Sequence, residues 1–293
     1  MMFSLRIGGV PEHFNLPWHL LLESGDLARA GIEAQWRDFP DGSGAMAAAL
    51  AQNEVDVAML LTEGAVAGIA QGGEYHIVSA YTKSPLLWGI HVPADSALQS
   101  VADIRGATYA ISRLGSGSHL MCFVHARRNN WPVEDLQFIS VRSLQGAIDA
   151  FAANTAQVFF WEKFMTKPVV DAGIFRRIGE FAAPWPAFVV CASRSALADK
   201  AELIANVLRQ VASVAAELAA SSDGAQRIAD RYGLRVEDVA TWLGVTRWAT
   251  RIGIDSRDLV SVVDTLQALQ LVPAQFDSAK ALAPLEQRAF GPL

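Results

Sequence analysis

Ile32-Glu33-Ala34-Gln35-Trp36-Arg37-Asp38-Phe39 alternates, with Ile32, Ala34 and Trp36 on one side and Glu33, Gln35 and Arg37 on the other. Alternation with period two predicts a strand that buries one face. The residues that follow, Asp41-Gly42-Ser43-Gly44, cap an Ala-rich helix running to about Gln52. Upstream, Phe3 to Gly8 predicts another strand, with Leu5 and Ile7 on one face, then a Gly-Gly-Val-Pro turn and an apolar helix around Trp18 to Glu23. Downstream, Val55 to Leu61 predicts a buried strand, Thr62 the cap of the next helix, and Tyr75 to Tyr81 one more strand. This βαβα order implies an α/β fold, a mostly parallel, doubly wound sheet with helices on both faces.

The pattern restarts at Leu86, with strands expected to Val92, at Thr108 to Ile111, Leu136 to Val141, Gln157 to Trp161, Phe175 to Phe181 and Phe188 to Ser193. Helices are expected over Gly117 to Asn130 and Leu144 to Ala153. A second α/β unit is thus inserted in the first: one lobe takes residues 1–88 and 188–293, the other residues 89–187. Short crossings near residues 82–90 and 182–190 would act as a two-segment hinge. After Ala196 the chain turns helical, with candidates at Ala201 to Ala220, Gly224 to Tyr232, Val236 to Trp248 and Ser256 to Leu269. A helical tail without strands of its own must pack on something already built, here the first lobe.

The 293 residues are 52% hydrophobic and 18% charged, with 24 basic and 30 acidic side chains and a net charge of −6. A negative chain with no run of Lys or Arg argues against nucleic acid or an anionic membrane surface as partner. Cys122 and Cys191 stand far apart, outside any CxxC or Cys/His spacing, so they are read as small buried hydrophobes. The longest apolar stretch, Leu203 to Ala220, is interrupted by Arg209 and Glu217 and is read as a core-facing helix, not a membrane span.

In open α/β sheets ligands bind beyond the carboxyl ends of the strands, and here those loops are polar. Glu12, His13 and Asn15 follow the first strand, Asp41, Ser43 and Gly44 the second, Thr62, Glu63 and Gly64 the third. In the second lobe the equivalent positions hold Ser112, Arg113, Gly115, Ser116, Gly117, Ser118 and His119, then Ser143 and Gln145, then Trp161 and Glu162. Gly9-Val10-Pro11-Glu12-His13, Gly42-Ser43-Gly44-Ala45-Met46, Val55-Asp56-Val57-Ala58, Val101-Ala102-Asp103-Ile104-Arg105-Gly106 and Ser116-Gly117-Ser118 occur in that order. Together they resemble the ligand-binding proteins of the nitrate, sulfonate and thiamine-precursor class, over roughly residues 3 to 250. The resemblance implies the type II periplasmic binding protein fold, in which two lobes close over one small molecule, usually for delivery to an ABC importer and its permease.

Leu114-Gly115-Ser116-Gly117-Ser118-His119 joins small residues to a helix start, where free amides favour an anionic or acceptor group; Ser116 is equally a good plain cap. Glu12, Glu63 and Glu162 each follow a strand closely. Carboxylates there would disfavour nitrate or sulfonate and suit a ligand bearing donors, such as an amine, amidine or aminopyrimidine; first-turn carboxylates are also stabilised by the helix dipole alone. Trp161, and Trp185 between Pro184 and Pro186, can wall a planar ligand, whereas Trp18 and Trp88 are read as core and Trp36, Trp131, Trp242 and Trp248 as packing.

His13 and His119 lack an orienting carboxylate at motif spacing, the serines form no G-x-S-x-G elbow, and no metal-ligand triad is written in the sequence. No GxGxxG or P-loop is present, so no cofactor is expected. The expectation is a binding protein for a polar metabolite. The alternative is an enzyme on the same scaffold, acting on a thiamine-pyrimidine or menaquinone-pathway type of intermediate, although Cys122 does not match the Cys-rich loop of the pyrimidine-forming group. Met1 to Gly8 enters a strand pattern with no basic or apolar leader regions, so a cytoplasmic location is expected as written, and a periplasmic one where a leader has been omitted.

Overall fold

The alternation at Phe3–Gly9 forms strand β1 in the computed structural model, which describes residues 3–282. After a single 3-10 turn at His13–Asn15 come α1 (Leu16–Glu23), α2 (Asp26–Arg29), β2 (Ile32–Asp38), α3 (Ser43–Ala51), β3 (Val57–Leu61) and α4 (Thr62–Ala70). Strand β4 (Tyr75–Pro93) leads to β5 (Thr108–Ile111), α5 (Gly117–Arg128), β6 (Gln137–Ser140), α6 (Leu144–Ala152), β7 (Val158–Glu162) and α7 (Lys167–Asp171). The chain continues through β8 (Phe175–Ser193), α8 (Arg194–Asp199), α9 (Ala201–Ala220), α10 (Gly224–Tyr232), α11 (Val236–Val245) and α12 (Ser256–Ala268).

The chain divides into two compact units, one made of the residues up to Ser84 and from Trp185 onward, the other of Pro85–Pro184. In the first unit the strand order is β2-β1-β3-β8-β4. Strand β1 pairs in parallel with β2 along its length, Phe3 opposite Ile32 and Gly9 opposite Asp38, and in parallel with β3 at Ile7 and Val57. Strand β8 runs antiparallel to β3, Phe188 opposite Leu61. In the second unit the order is β4-β7-β5-β6, with β5 parallel to both neighbours and β4 antiparallel to β7. Pairing is therefore mixed in both units, with β8 antiparallel to β3 in the first and β4 antiparallel to β7 in the second.

The predicted strands on either side of residues 82–86 and 181–188 are in fact two unbroken strands, β4 and β8, of 19 residues each. Lys83-Ser84-Pro85 and Pro184-Trp185-Pro186 read as breaks, yet the fixed φ of proline fits extended backbone and only a ladder donor is lost. The helix expected to reach Trp248 stops at Val245. Residues 247–253 instead line β4: Lys83 N–H donates to the Arg247 carbonyl (2.7 Å), Ala249 N–H to Tyr81 (2.8 Å) and Ala80 N–H to Gly253 (3.0 Å).

Helix α9 packs on α1 through a stripe of Ile204, Val207, Leu208, Val211, Ala215 and Leu218, all buried at helical spacing. Its length and mean hydropathy of 1.3 would suit a membrane span, and it alone among the described residues meets that test; the buried stripe accounts for those residues as core.

The Val101–Ile104 turn shows why that segment carried weight in the sequence. Ser100 and Asp103 form a capping box, Ile104 is fully buried, and its carbonyl accepts from the Tyr109 hydroxyl (3.1 Å). At the start of α6 a Cβ on Gly146 would stand 1.9 Å from the Val141 carbonyl oxygen, and Gly146 N–H donates to Ser143 Oγ (3.2 Å). Gly146→Ala must push backbone aside and is expected to cost about 2–3 kcal/mol. A urea midpoint within error of the parent would show that the turn yields freely.

Candidate functional site

In the first unit the ends of β1, β2 and β3 lead into the Glu12–Asn15 segment, α3 and α4. His13, Phe14 and Asn15 are buried. The His13 ring lies edge-on to Trp242 at 4.2 Å and to Tyr232 at 6.4 Å, so the tail helices α10 and α11 cover it. Burial pushes its pKa down to about 3, which keeps the ring neutral near pH 7. The Phe14 carbonyl accepts from Tyr81 OH (2.8 Å) and Trp248 Nε1 (3.0 Å), and its ring stacks on Phe188 at 3.8 Å. Glu12 is half-buried, and burial raises its carboxyl to about 7.

Asp41 is exposed, with Gly42 (φ +75°) as the N-cap of α3 and Gly44 in its first turn. Ser43, expected among the capping residues, turns inward and accepts from Leu61 N–H (3.0 Å). The N-cap of α4 is Leu61, so Thr62 does not cap the helix as the sequence suggested. Its hydroxyl donates instead to the Pro186 carbonyl (2.6 Å). Next to it, Glu63 is 1% exposed, and its Oε2 accepts from Trp185 Nε1 (2.7 Å). Glu63 Oε1, equally buried, has no hydrogen-bond partner among the described residues. Burial raises the carboxyl to about 7, with its own backbone N–H and the Trp185 indole pulling the other way. Ser43, Thr62, Glu63 and Trp185 thus come together at the first turn of α4.

In the second unit the serine-rich segment satisfies itself. Ser118 Oγ accepts from Ser112 N–H (2.9 Å) and lies 3.0 Å from Ser116 Oγ; Ser116 caps α5. His119 Nδ1 accepts from Gly115 N–H (3.0 Å), and its ring packs edge-on to Phe123 and Phe138. Gly115 (φ +77°) makes the left-handed turn into this segment, beside half-buried Arg113, and buried Gly117 opens the helix. Glu162 is buried and accepts from the amides of Phe164 (2.9 Å) and Met165 (2.7 Å). Trp161 stacks on Phe159 at 5.0 Å and packs against the cluster of Phe151, Phe159 and Phe175. Hydroxyls, carboxylate and ring in this unit therefore have structural work of their own.

Two buried histidines of the second unit escaped the sequence reading because no motif marks them. His91 contacts the Phe159 carbonyl (3.1 Å, Nδ1) and Thr166 Oγ1 (2.9 Å, Nε2), while His125 lies among Trp131, Phe160 and Phe181. Among the described residues no three His, Cys, Asp or Glu side chains gather as a metal site.

Residues 88–181 match the family model described as Ca3427-like PBP, a span that falls within the second unit. The solved structure of the Candida albicans CA3427 gene product, described as having the generic periplasmic binding protein fold, superposes with a TM-score of 0.88 at 26% identity over 96% of both chains. The chain has the periplasmic binding protein fold. The same fold in the alkanesulfonate-binding protein SsuA of Xanthomonas axonopodis pv. citri, bound to MOPS, gives a TM-score of 0.81 at 21% identity, over 96% of this chain and 98% of that one. The ligand-binding component of an ABC-type import system of Staphylococcus aureus, solved with zinc bound, gives 0.76 at 11% identity over 99% of both. A search of curated protein sequences returns no match.

Proposed function

We propose that the chain is a small-molecule-binding protein whose ligand presents a hydrogen-bond donor, as an amine, amidine or aminopyrimidine, to Glu63. The observation that carries this reading is the buried Glu63 Oε1, which has no donor among the described residues. A buried acceptor left unmatched costs about 1–3 kcal/mol, which a donor-bearing ligand recovers. A sulfonate brings acceptors and negative charge, which that oxygen repels. The fold shared with solute-binding components supports the broader reading, and delivery of the ligand to an importer's permease is its finer form.

Calorimetric titration with benzamidine, 4-aminopyrimidine and ethanesulfonate tests it. Benzamidine stays cationic, so its affinity is expected to rise about tenfold from pH 6 to pH 8 as a carboxyl titrating near 7 ionises. Glu63→Ala should weaken the donor ligands by about 1–3 kcal/mol. Tight ethanesulfonate binding with no effect of Glu63→Ala would overturn the reading.

A further inference from the structure

Glu63 carries two different oxygens. Oε2 is held by the Trp185 indole at 2.7 Å, across 122 positions of sequence, while the buried Oε1 has no hydrogen-bond partner among the described residues. Trp185 is 3% exposed and is the first residue of the first unit after the chain returns from the second. One position further on, the Pro186 carbonyl accepts from Thr62, and Phe188 stacks on Phe14. Two consecutive residues at the start of α4 thus grip two consecutive residues of β8.

We infer that Trp185 is the positioning residue of the ligand acceptor: its N–H fixes Glu63 by Oε2, so that Oε1 alone meets the ligand. This rests on the reading of Glu63 as the acceptor. A glutamate has three rotatable torsions, and without a fixed donor the carboxylate could turn either oxygen toward a ligand. One fixed donor removes that freedom and favours the ionised form. Burial raises this carboxyl, while the residue's own amide and the indole lower it.

The test is Trp185→Phe, which keeps the ring and removes the donor, with Trp185→His as the variant that restores a ring N–H should the phenylalanine form fold poorly. The Glu63 carboxyl is titrated in the ligand-free protein by carbon-13 NMR, its signal assigned by loss in Glu63→Gln, and benzamidine binding is measured from pH 6 to pH 9. The expected result is an upward shift of the Glu63 titration by about one pH unit in Trp185→Phe, an equal shift of the binding profile, about fivefold weaker binding at pH 7, and recovery in Trp185→His. An unshifted titration in Trp185→Phe overturns the inference whether or not benzamidine binds. Absence of benzamidine and 4-aminopyrimidine binding to the parent protein overturns the reading of Glu63 as acceptor, and that result is read without reference to the titration.

Discussion

Between pH 7.5 and pH 5 the unit holding His91 and His125 is expected to lose about 4 kcal/mol of stability while the other unit loses little. Burial lowers both histidines to about 4. The unfolded chain takes up these protons near pH 6.5, the folded one only near 4, so stability is complete above the first value and lost as pH falls toward the second. At pH 5 each has lost about 1.5 pH units' worth, about 2 kcal/mol. Among the described residues neither ring has a carboxylate among its contacts: His91 meets a carbonyl and the Thr166 hydroxyl, and His125 meets Asn129 and three aromatic rings.

The first unit contains an opposing pair. His13 is lowered to about 3 and acts in the same direction, but Glu12 and Glu63 are raised to about 7. A carboxyl raised by burial contributes most below about pH 4.5 and loses that contribution as pH climbs to 7, so acidification favours this unit at those two positions. Hydrogen exchange followed peptide by peptide at the two pH values separates the units. Equal loss of protection in both would sink the expectation, and His125→Phe should remove about half of the acid effect in the second unit.

The second large effect is expected at Asp56. Its carboxylate is buried and accepts from Arg6 N–H (2.7 Å), Arg6 Nη2 (2.8 Å), Arg6 Nε (3.3 Å) and Lys200 Nζ (3.0 Å). Burial would raise the carboxyl, yet the bonds from Arg6 and Lys200 outweigh it and leave the pKa below its usual value. Asp56 therefore fastens β1 to β3 and to the start of α9. Arg6 is 42% exposed and can be rehydrated, which discounts the ion pair itself. The backbone amide of Arg6 has no such outlet, and Asp56→Ala is expected to cost about 3 kcal/mol, a fall of about 6–12 °C in Tm. A fall under about 2 °C would show that Arg6 and Lys200 are re-paired.

Asp56 also marks the limit of what one sequence shows. Val55-Asp56-Val57-Ala58 contributes to the family resemblance, but nothing local says that its carboxylate meets a lysine 144 positions away. Periodicity finds β2 and α9 almost to the residue because burial there follows a local repeat. The Ser116 cap is legible for the same reason, since its partner is His119 N–H three positions on. Proline in β4 and β8 misleads because it is an extended residue as well as a breaker. His13 looked open because it follows a strand; α10 and α11, more than 200 positions later, close over it. Glu63 was legible as a carboxylate at a strand end, but its tie to Trp185 was not.

The division of the chain also sets an order of synthesis. The second unit is contiguous and is complete once Pro184 has left the ribosome, whereas the first is split, its early strands waiting for β8 and the tail helices. Through that interval β3 exposes the edge that Phe188 to Ala192 will later cover. A nascent chain from which Pro184 has just emerged thus carries one finished unit and one half-sheet with an open flank, the stage at which a chaperone has most to shield.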